Sequence, residues 1–236
     1  MTIVNDDILV MEASGIHNGY CQIIVDEMEA SAKVRGTGIA KRSPDYISQK
    51  MDEGKAVIAL TKDGTWVGFC YIETWEGEYV ANSGLIVSPE FRKTGIAKRI
   101  KEKIFELSRR KYPNAKIFGL TTGLAVMKIN SDLGYEPVTY SELTQDEKFW
   151  AGCKSCVNYD ILMAKDRKNC LCTAMLYDPK EHAPIEEIKN EFKENVHIFE
   201  RFMKLKKFKF LEGLFDRGKL SETKMRSFVK MLIATI

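Results

Sequence analysis

The sequence contains no long hydrophobic run and no basic leader. Nowhere do about 18 consecutive apolar residues occur, the minimum for a transmembrane helix. The opening segment, MTIVNDDILVMEAS, carries acids where a signal peptide carries Lys and Arg. We therefore expect a cytoplasmic protein that does not bind membranes.

An excess of one charge sign, internal repeats and low-complexity tracts are also missing. The chain has 36 Lys and Arg against 33 Asp and Glu, and 44% of its residues are hydrophobic. This composition is typical of a folded globular protein and excludes the disordered and fibrous classes. The small basic surplus falls in residues 180–236, where solvated helix faces explain it better than a binding patch. We therefore do not expect nucleic-acid binding.

Hydrophobic spacing predicts an α/β protein with an antiparallel centre. Predicted strands cover residues 8–11, 56–60, 66–74, 79–87, 117–121, 135–140 and 157–164. Helical spacing covers residues 21–28, 44–51, 95–111 and 124–133. These elements form one predicted domain, residues 1–178, which includes a cysteine-rich segment at 150–173. Lys, Glu and apolar residues at helical spacing predict a helical extension over 179–236.

One junction between a strand and a helix has the residues of an anion site. The strand ending at Val87 is followed by Arg-x-x-Gly-x-Ala, and a helix begins just after Gly95. The first amides of a helix lack intrahelical partners and lie at the positive end of its dipole. Gly95 lets the backbone approach the anion closely, and Arg92 and Lys93 add positive charge. Several successive amides suit a pyrophosphate better than a single carboxylate.

The pattern LIVSPEFRKTGIA at residues 85–97, with Leu-Gly-Tyr at 133–135, resembles the GNAT superfamily of acyl-CoA-dependent N-acyltransferases. The resemblance covers residues 5–165 and implies a mixed, mostly antiparallel sheet of six or seven strands flanked by helices. It implies that acetyl-CoA, or another short acyl-CoA, is the donor. The amides that would hold its pyrophosphate belong to Arg92, Lys93, Thr94, Gly95, Ile96 and Ala97. The backbones of Leu85, Ile86 and Val87 would pair with pantetheine, because strands that splay apart leave groups in need of partners.

Acyl transfer needs a base, an oxyanion donor and a route for thiolate departure. Glu73 and Glu78 lie on strands that would line the acceptor cleft, so either is a candidate base or a solvated carboxylate. The amide of Val87 is the candidate oxyanion donor. Many relatives have a tyrosine acid three residues before the Leu-Gly pair, where this chain has Asn130. An amide can bind pantetheine or sulfur but cannot supply a proton. Water, Tyr135 or Tyr140 would then help the thiolate to leave, or no acid is needed because the CoA thiol is itself moderately acidic.

The resemblance implies that the loop between the first helices, residues 35–42, forms a wall of the acceptor cleft. This loop is basic. Arg35 or Arg42 could grip a carboxylate bidentately, which favours an amino acid as the amine. This loop and the cysteine segment also resemble N-acetylglutamate synthase-like enzymes of amino-acid biosynthesis. The alternative is a loop that reaches the 3′-phosphate of CoA or contacts no ligand.

Two closely spaced cysteine pairs follow, Cys153 with Cys156 and Cys170 with Cys172. If the chain turns back near residues 166–169, four thiolates could hold a structural zinc ion. A redox dithiol and buried free thiols remain the alternatives. Histidine is scarce, and the three histidines are isolated, so none is assigned a role.

A second class of function is compatible with the same residues. A GNAT-shaped domain with weakened chemistry could use a zinc site and the basic tail to bind a protein or nucleic acid. The intact Arg-x-x-Gly-x-Ala motif favours the enzyme, since a scaffold has no use for an open anion loop. The apolar tail is also compatible with a homodimer.

Overall fold

The fold is known from a computed structural model that describes residues 7–35, 40–75 and 77–182. Seven strands are present in this part of the chain: β1 Ile8–Glu12, β2 Ala56–Thr61, β3 Trp66–Trp75, β4 Tyr79–Val87, β5 Lys116–Thr121, β6 Glu136–Val138 and β7 Thr173–Tyr177. Six α-helices accompany them: α1 Cys21–Arg35, α2 Pro44–Asp52, α3 Ile96–Lys111, α4 Leu124–Asp132, α5 Glu147–Ala151 and α6 Tyr159–Ala164. The predicted α/β class and mostly antiparallel sheet are confirmed.

All seven strands belong to one sheet with the order β1-β2-β3-β4-β5-β7-β6. Every neighbouring pair is antiparallel except β4 and β5, which run parallel. The crossover that a parallel pair requires is supplied by α3. The single parallel pair therefore lies near the middle of the sheet, where α3 begins.

Local sequence signals explain where the helices next to this pair begin and end. Gly95, the N-cap of α3, has a φ of 87°, a left-handed conformation that costs glycine little. The side chain of Ser43 caps α2 by accepting a hydrogen bond from the amide of Tyr46 at 3.2 Å. Gly134, with a φ of 88°, follows α4 as predicted.

Two hydrophobic layers cover the first half of the sheet. On one face α3 packs through Ile96, Ile100 and Ile104. On the other face α1 and α2 pack on β2 and β3, with Ile24 and Ile47 fully buried. Burial of such side chains contributes about 1.5–3 kcal/mol each. The layers hold β3 and β4 rigidly from both sides.

The predicted strand at 157–164 is wrong, because this stretch forms α6. Only Leu162 of the helix is buried. Buried and exposed side chains therefore do not alternate along this stretch, as they would in a strand. The strand that pairs with β5 is instead β7. Asp166 and Arg167 have φ angles of 50° and 60°, and this turn leads the chain back toward β7.

The predicted helical extension lies outside the described residues beyond His182. The chain divides there into two units, Met1–His182 and Ala183–Ile236, four residues after the predicted boundary. No helix in the described ranges combines the length and apolar character needed to cross a bilayer.

Candidate active site

The centre of the site is an opening in the sheet between β4 and β5. These strands pair only through Tyr79, Val80 and Ala81, although β4 continues to Val87. Ser88 donates its amide hydrogen to Val67 on β3 at 2.9 Å, so alternation turns the amide of Val87 toward the opening. Ile86, by contrast, pairs with Phe69 of β3. The amide of Val87 is therefore directed toward the opening, whereas Ile86 faces the neighbouring strand; the predicted pantetheine pairing of these residues stays a prediction.

The loop at the end of β4 has the geometry of the predicted anion site. Lys93 has a φ of 65° and Gly95 a φ of 87°, and two such residues curl the backbone tightly. The first intrahelical bond of α3 runs from Lys98 to the carbonyl of Gly95, so the amides of Ile96 and Ala97 precede it. Because Ile96 is 1% exposed, it anchors the loop to the core. Thr94 donates its hydroxyl to the carbonyl of Phe91.

Arg92 lies in this loop but does not contribute an unpaired charge. Its guanidinium donates to the Glu27 carboxylate at 2.6 Å, to the Ser31 hydroxyl at 2.9 Å and to the Val87 carbonyl at 3.1 Å. Glu27 and Ser31 belong to α1. Arg92 thus ties the loop to α1, while the amides and Lys93 remain as the cationic part of the site.

A charged cluster lies on the sheet face covered by α1 and α2. Glu73 of β3 is paired across the strands with Ala81, the last β4 residue that bonds to β5. Its carboxylate oxygen Oε2 is 3.0 Å from Nζ of Lys50 on α2. The cluster therefore borders the point where the sheet opens.

Arg42 completes the cluster from the segment before α2. Its Nε donates to the Tyr71 hydroxyl at 2.9 Å, and its guanidinium carbon lies 4.9 Å from the centre of the Tyr46 ring. Nζ of Lys50 lies 5.0 Å from the same ring. Two cations thus flank one aromatic ring beside a single carboxylate, and both gain from the negative face of the ring.

Burial changes the protonation of these groups. It raises the pKa of Glu73 to about 7, and the charge of Arg42 opposes that rise. Burial also lowers the pKa of Lys50. Near neutral pH a proton therefore moves on and off Glu73 easily, which is the property of a general base.

The other predicted acceptor-side residues fall elsewhere. Glu78 is exposed in the turn between β3 and β4, where its backbone bonds with Trp75 and Lys116. The structure therefore does not bring it into the cluster. The side chain of Arg35 lies outside the described part of the chain.

Asn130 is 1% exposed and lies behind the β5 edge of the opening, next to Gly119. Its Nδ2 is 3.8 Å from the sulfur of Met175, and its buried Oδ1 has no hydrogen-bond partner among the described residues. An unpaired buried acceptor costs about 1–3 kcal/mol. The predicted pantetheine contact of Asn130 stays a prediction.

The two tyrosines considered as proton donors have structural partners. Tyr135 donates to Oδ1 of Asn82 at 2.9 Å, and Tyr140 donates to the carbonyl of Cys172 at 2.9 Å. Burial raises the pKa of both hydroxyls well above the ordinary value. Neither tyrosine is poised to protonate a departing thiolate.

The four predicted metal ligands, Cys153, Cys156, Cys170 and Cys172, line one cavity of about 90 Å³. Burial and neighbouring thiols raise the pKa of Cys153 to about 11 and that of Cys172 to about 12. However, within residues 7–35, 40–75 and 77–182, no three His, Cys, Asp or Glu side chains surround a point where a metal ion could bind. The zinc prediction is thus unsupported, and so is the zinc-bearing binding module. The thiols are free in this arrangement.

Sequence reasoning missed Lys50, although a signal was available. Lys50 occupies the apolar side of α2, between the fully buried Ile47 and Met51. A lysine at such a position is rarely buried without a partner. The position of Lys50 therefore predicts a carboxylate partner, but only the tertiary structure identifies that partner as Glu73.

Comparison with known proteins agrees with this geometry. Residues 25–125 match the sequence model of the Acetyltransferase (GNAT) family. The match covers less than half of the chain and includes β2 to β5, the opening and the Gly95 loop. This part of the chain is therefore similar to GNAT acetyltransferases in sequence, and its fold is the one predicted from the sequence. No curated protein matches the sequence.

Solved structures share the fold at low sequence identity. N-acetylglutamate synthase from Neisseria gonorrhoeae, complexed with coenzyme A and N-acetyl-glutamate, aligns with a TM-score of 0.53 and 17% identity over 72% of this chain and 35% of its own. Rv2747 from Mycobacterium tuberculosis, in complex with CoA and NLQ, aligns with a TM-score of 0.53 and 16% identity over 72% of this chain and 98% of its own. A phosphinothricin acetyltransferase from Sinorhizobium meliloti, in complex with AcCoA, aligns with a TM-score of 0.50 and 14% identity over 73% of this chain and 88% of its own. The chain thus spans about a third of the first of these proteins, and the likeness establishes the fold.

Proposed function

We propose that this protein transfers an acetyl group from acetyl-CoA to the amine of a small carboxylate-bearing substrate, such as an amino acid of the glutamate type. One observation supports this most directly. The opening between β4 and β5 leads from the Gly95 loop to the point where Glu73 lies. Donor and acceptor sites would therefore meet at the apex of the opening.

Acetyl-CoA would lie along the opening from one end to the other. The diphosphate would bind the amides of residues 92–97. From Asn82 to Val87 the edge of β4 spans five residue steps, which is about 17 Å at about 3.3 Å per residue. An extended pantetheine arm matches this length and carries amides that can pair with the edge. Asn130 would accept a hydrogen bond from the arm through its Oδ1.

The chemistry is direct attack of a neutral amine on the thioester. Glu73 would take the proton from the acceptor ammonium, directly or through one water. The amide of Val87 would stabilise the oxyanion of the tetrahedral intermediate. Because Tyr135 and Tyr140 are bonded elsewhere, the CoA thiolate would leave without help from these tyrosines. The second N–H proton of the tetrahedral intermediate would pass through water to the departing thiolate.

The acceptor class is proposed from the charges of the cluster. Two cations, Arg42 and Lys50, accompany one carboxylate, so the cluster has a surplus of one positive charge. An acceptor carboxylate would balance this surplus, and the planar guanidinium of Arg42 suits bidentate binding. Arg35 is retained as a second candidate contact. Two structural neighbours are named N-acetylglutamate synthase and phosphinothricin acetyltransferase, and these names are compatible with this class.

The test is release of CoA thiol from acetyl-CoA with a panel of amino acids and simple amines. We expect turnover with carboxylate-bearing amines and at least a tenfold higher KM for the acceptor in Arg42→Gln, with the KM for acetyl-CoA unchanged. An equal acceptor KM in wild type and variant would remove the carboxylate contact of Arg42. Absence of turnover with every amine would refute the enzymatic proposal.

A further inference from the structure

We infer that Lys50 is a positioning residue that keeps Glu73 ionised and fixes its carboxylate beside the apex of the sheet opening. The inference rests on the proposed function, because it concerns the base of that reaction. It adds a residue that belongs neither to the signature motif nor to the basic loop. Lys50 touches Glu73 and need not touch either substrate.

The contact between these side chains is short and shielded from water. Nζ of Lys50 lies 3.0 Å from Oε2 of Glu73, and the two side chains are 11% and 15% exposed. Exposed ion pairs contribute little, since water and salt screen them. Breaking a buried pair is costly because one charge is left without its partner. This pair therefore has a much larger effect on Glu73 than a surface pair would have.

The surroundings hold Lys50 in place. Ile47 and Met51, on the same side of α2, are 0% and 1% exposed and fix that side of the helix against the sheet. The ring of Tyr46, at 5.0 Å, lies beside the ammonium group. With its stem packed and its head between a ring and a carboxylate, Lys50 has few other rotamers to adopt.

The other charged groups around Glu73 do not replace Lys50. Arg42 acts on Glu73 through its charge, but its Nε is bonded to the Tyr71 hydroxyl. At the start of β2, the ammonium of Lys55 is 2.7 Å from the carboxylate of Glu53. Among the described contacts, the salt bridge to Glu73 is made by Lys50.

The geometry assigns separate tasks to the two carboxylate oxygens. Oε2 is held by Lys50, so Oε1 is the oxygen that takes the proton. An N–H bond of the acceptor ammonium breaks, its electron pair stays on nitrogen, and an O–H bond forms at Oε1. The cation at Oε2 keeps the carboxylate charged before this transfer and prevents it from rotating away.

The experiment compares Lys50→Met, Lys50→Arg and the control Lys55→Met, which removes a lysine paired with Glu53. Infrared titration of the carboxylate band that disappears in Glu73→Gln reports the pKa of Glu73 without any substrate. An opposite charge at this distance lowers a carboxyl pKa by about 1–3 units. Its removal in Lys50→Met should raise the pKa of Glu73 by about one unit or more. Lys50→Arg and Lys55→Met should remain close to wild type.

A matching shift is expected in activity. A higher pKa means that Glu73 ionises only at higher pH, so the acid limb of kcat/KM should move toward higher pH in Lys50→Met, with about a tenfold loss of kcat/KM below that limb. An unchanged Glu73 band in Lys50→Met would overturn the inference. If Lys50→Met does not fold, Lys50→Gln provides the same measurement, because it also removes the charge. An inactive wild type would count against the proposed function alone, since the infrared titration stands without turnover.

Discussion

Replacement of Glu73 by glutamine tests the centre of the mechanism. Glutamine keeps the size of the side chain and removes its capacity to take a proton. Because general-base catalysis contributes about 10²–10⁴-fold, we expect kcat/KM of Glu73→Gln to fall by about 10²-fold or more. The KM for acetyl-CoA should stay near the wild-type value, because Glu73 lies on the acceptor side of the opening.

The pH dependence of the wild type gives the second half of this prediction. With a pKa of about 7, Glu73 is about one tenth ionised at pH 6, so kcat/KM should fall about tenfold for each unit below pH 7. Steady-state thiol release from pH 5.5 to 9 measures this limb. The limb should vanish from the residual activity of Glu73→Gln.

The other acidic candidate, Glu78, serves as the comparison. It is exposed in the turn at the distant end of β4, so Glu78→Gln should retain kcat/KM within about twofold. A large loss in Glu78→Gln combined with a mild effect of Glu73→Gln would refute the reasoning from the cluster. A wild-type acid limb near pH 4.5 would equally refute the role assigned to burial.

Three further outcomes are expected. Gly95→Val should raise the KM for acetyl-CoA at least tenfold and lower the free energy of unfolding by about 1–2 kcal/mol, because a φ of 87° is strained for a β-branched residue. Thermal unfolding measures the second effect. Wild-type values of both would contradict the proposed binding of the diphosphate by this loop. The raised pKa of Glu73 contributes stability that is fully present below about pH 4.5 and is lost as pH rises through about 7. Urea unfolding should therefore show that wild type loses about 2.5 kcal/mol more than Glu73→Gln between pH 5 and pH 8. Cys172, with a pKa of about 12, should react with iodoacetamide at pH 8 about 10³-fold more slowly than an ordinary thiol, as followed by mass spectrometry; rapid labelling would contradict its burial.

The geometry of the loop between β4 and α3 was predictable because its signals are local. A strand, the Arg-x-x-Gly-x-Ala spacing and a helix define the anion loop within about a dozen residues, and the left-handed Gly95 follows from the chemistry of glycine alone. The N-cap at Ser43 and the stop at Gly134 were predictable for the same reason. The strand predicted at 157–164 failed because short apolar runs do not distinguish a helix from a strand without their packing partners.

Sequence alone indicated an α/β fold and a junction between a strand and a helix with the residues of an anion site, since glycine geometry, capping and periodicity act between residues that are neighbours along the chain. The tertiary structure decided what those residues do. It paired Arg92 with Glu27, placed Glu78 in an exposed turn away from the cluster, and brought Lys50 to Glu73 across 23 positions. Charge pairing and burial act between distant segments, and the pKa of a carboxyl group depends on which of them the fold brings together.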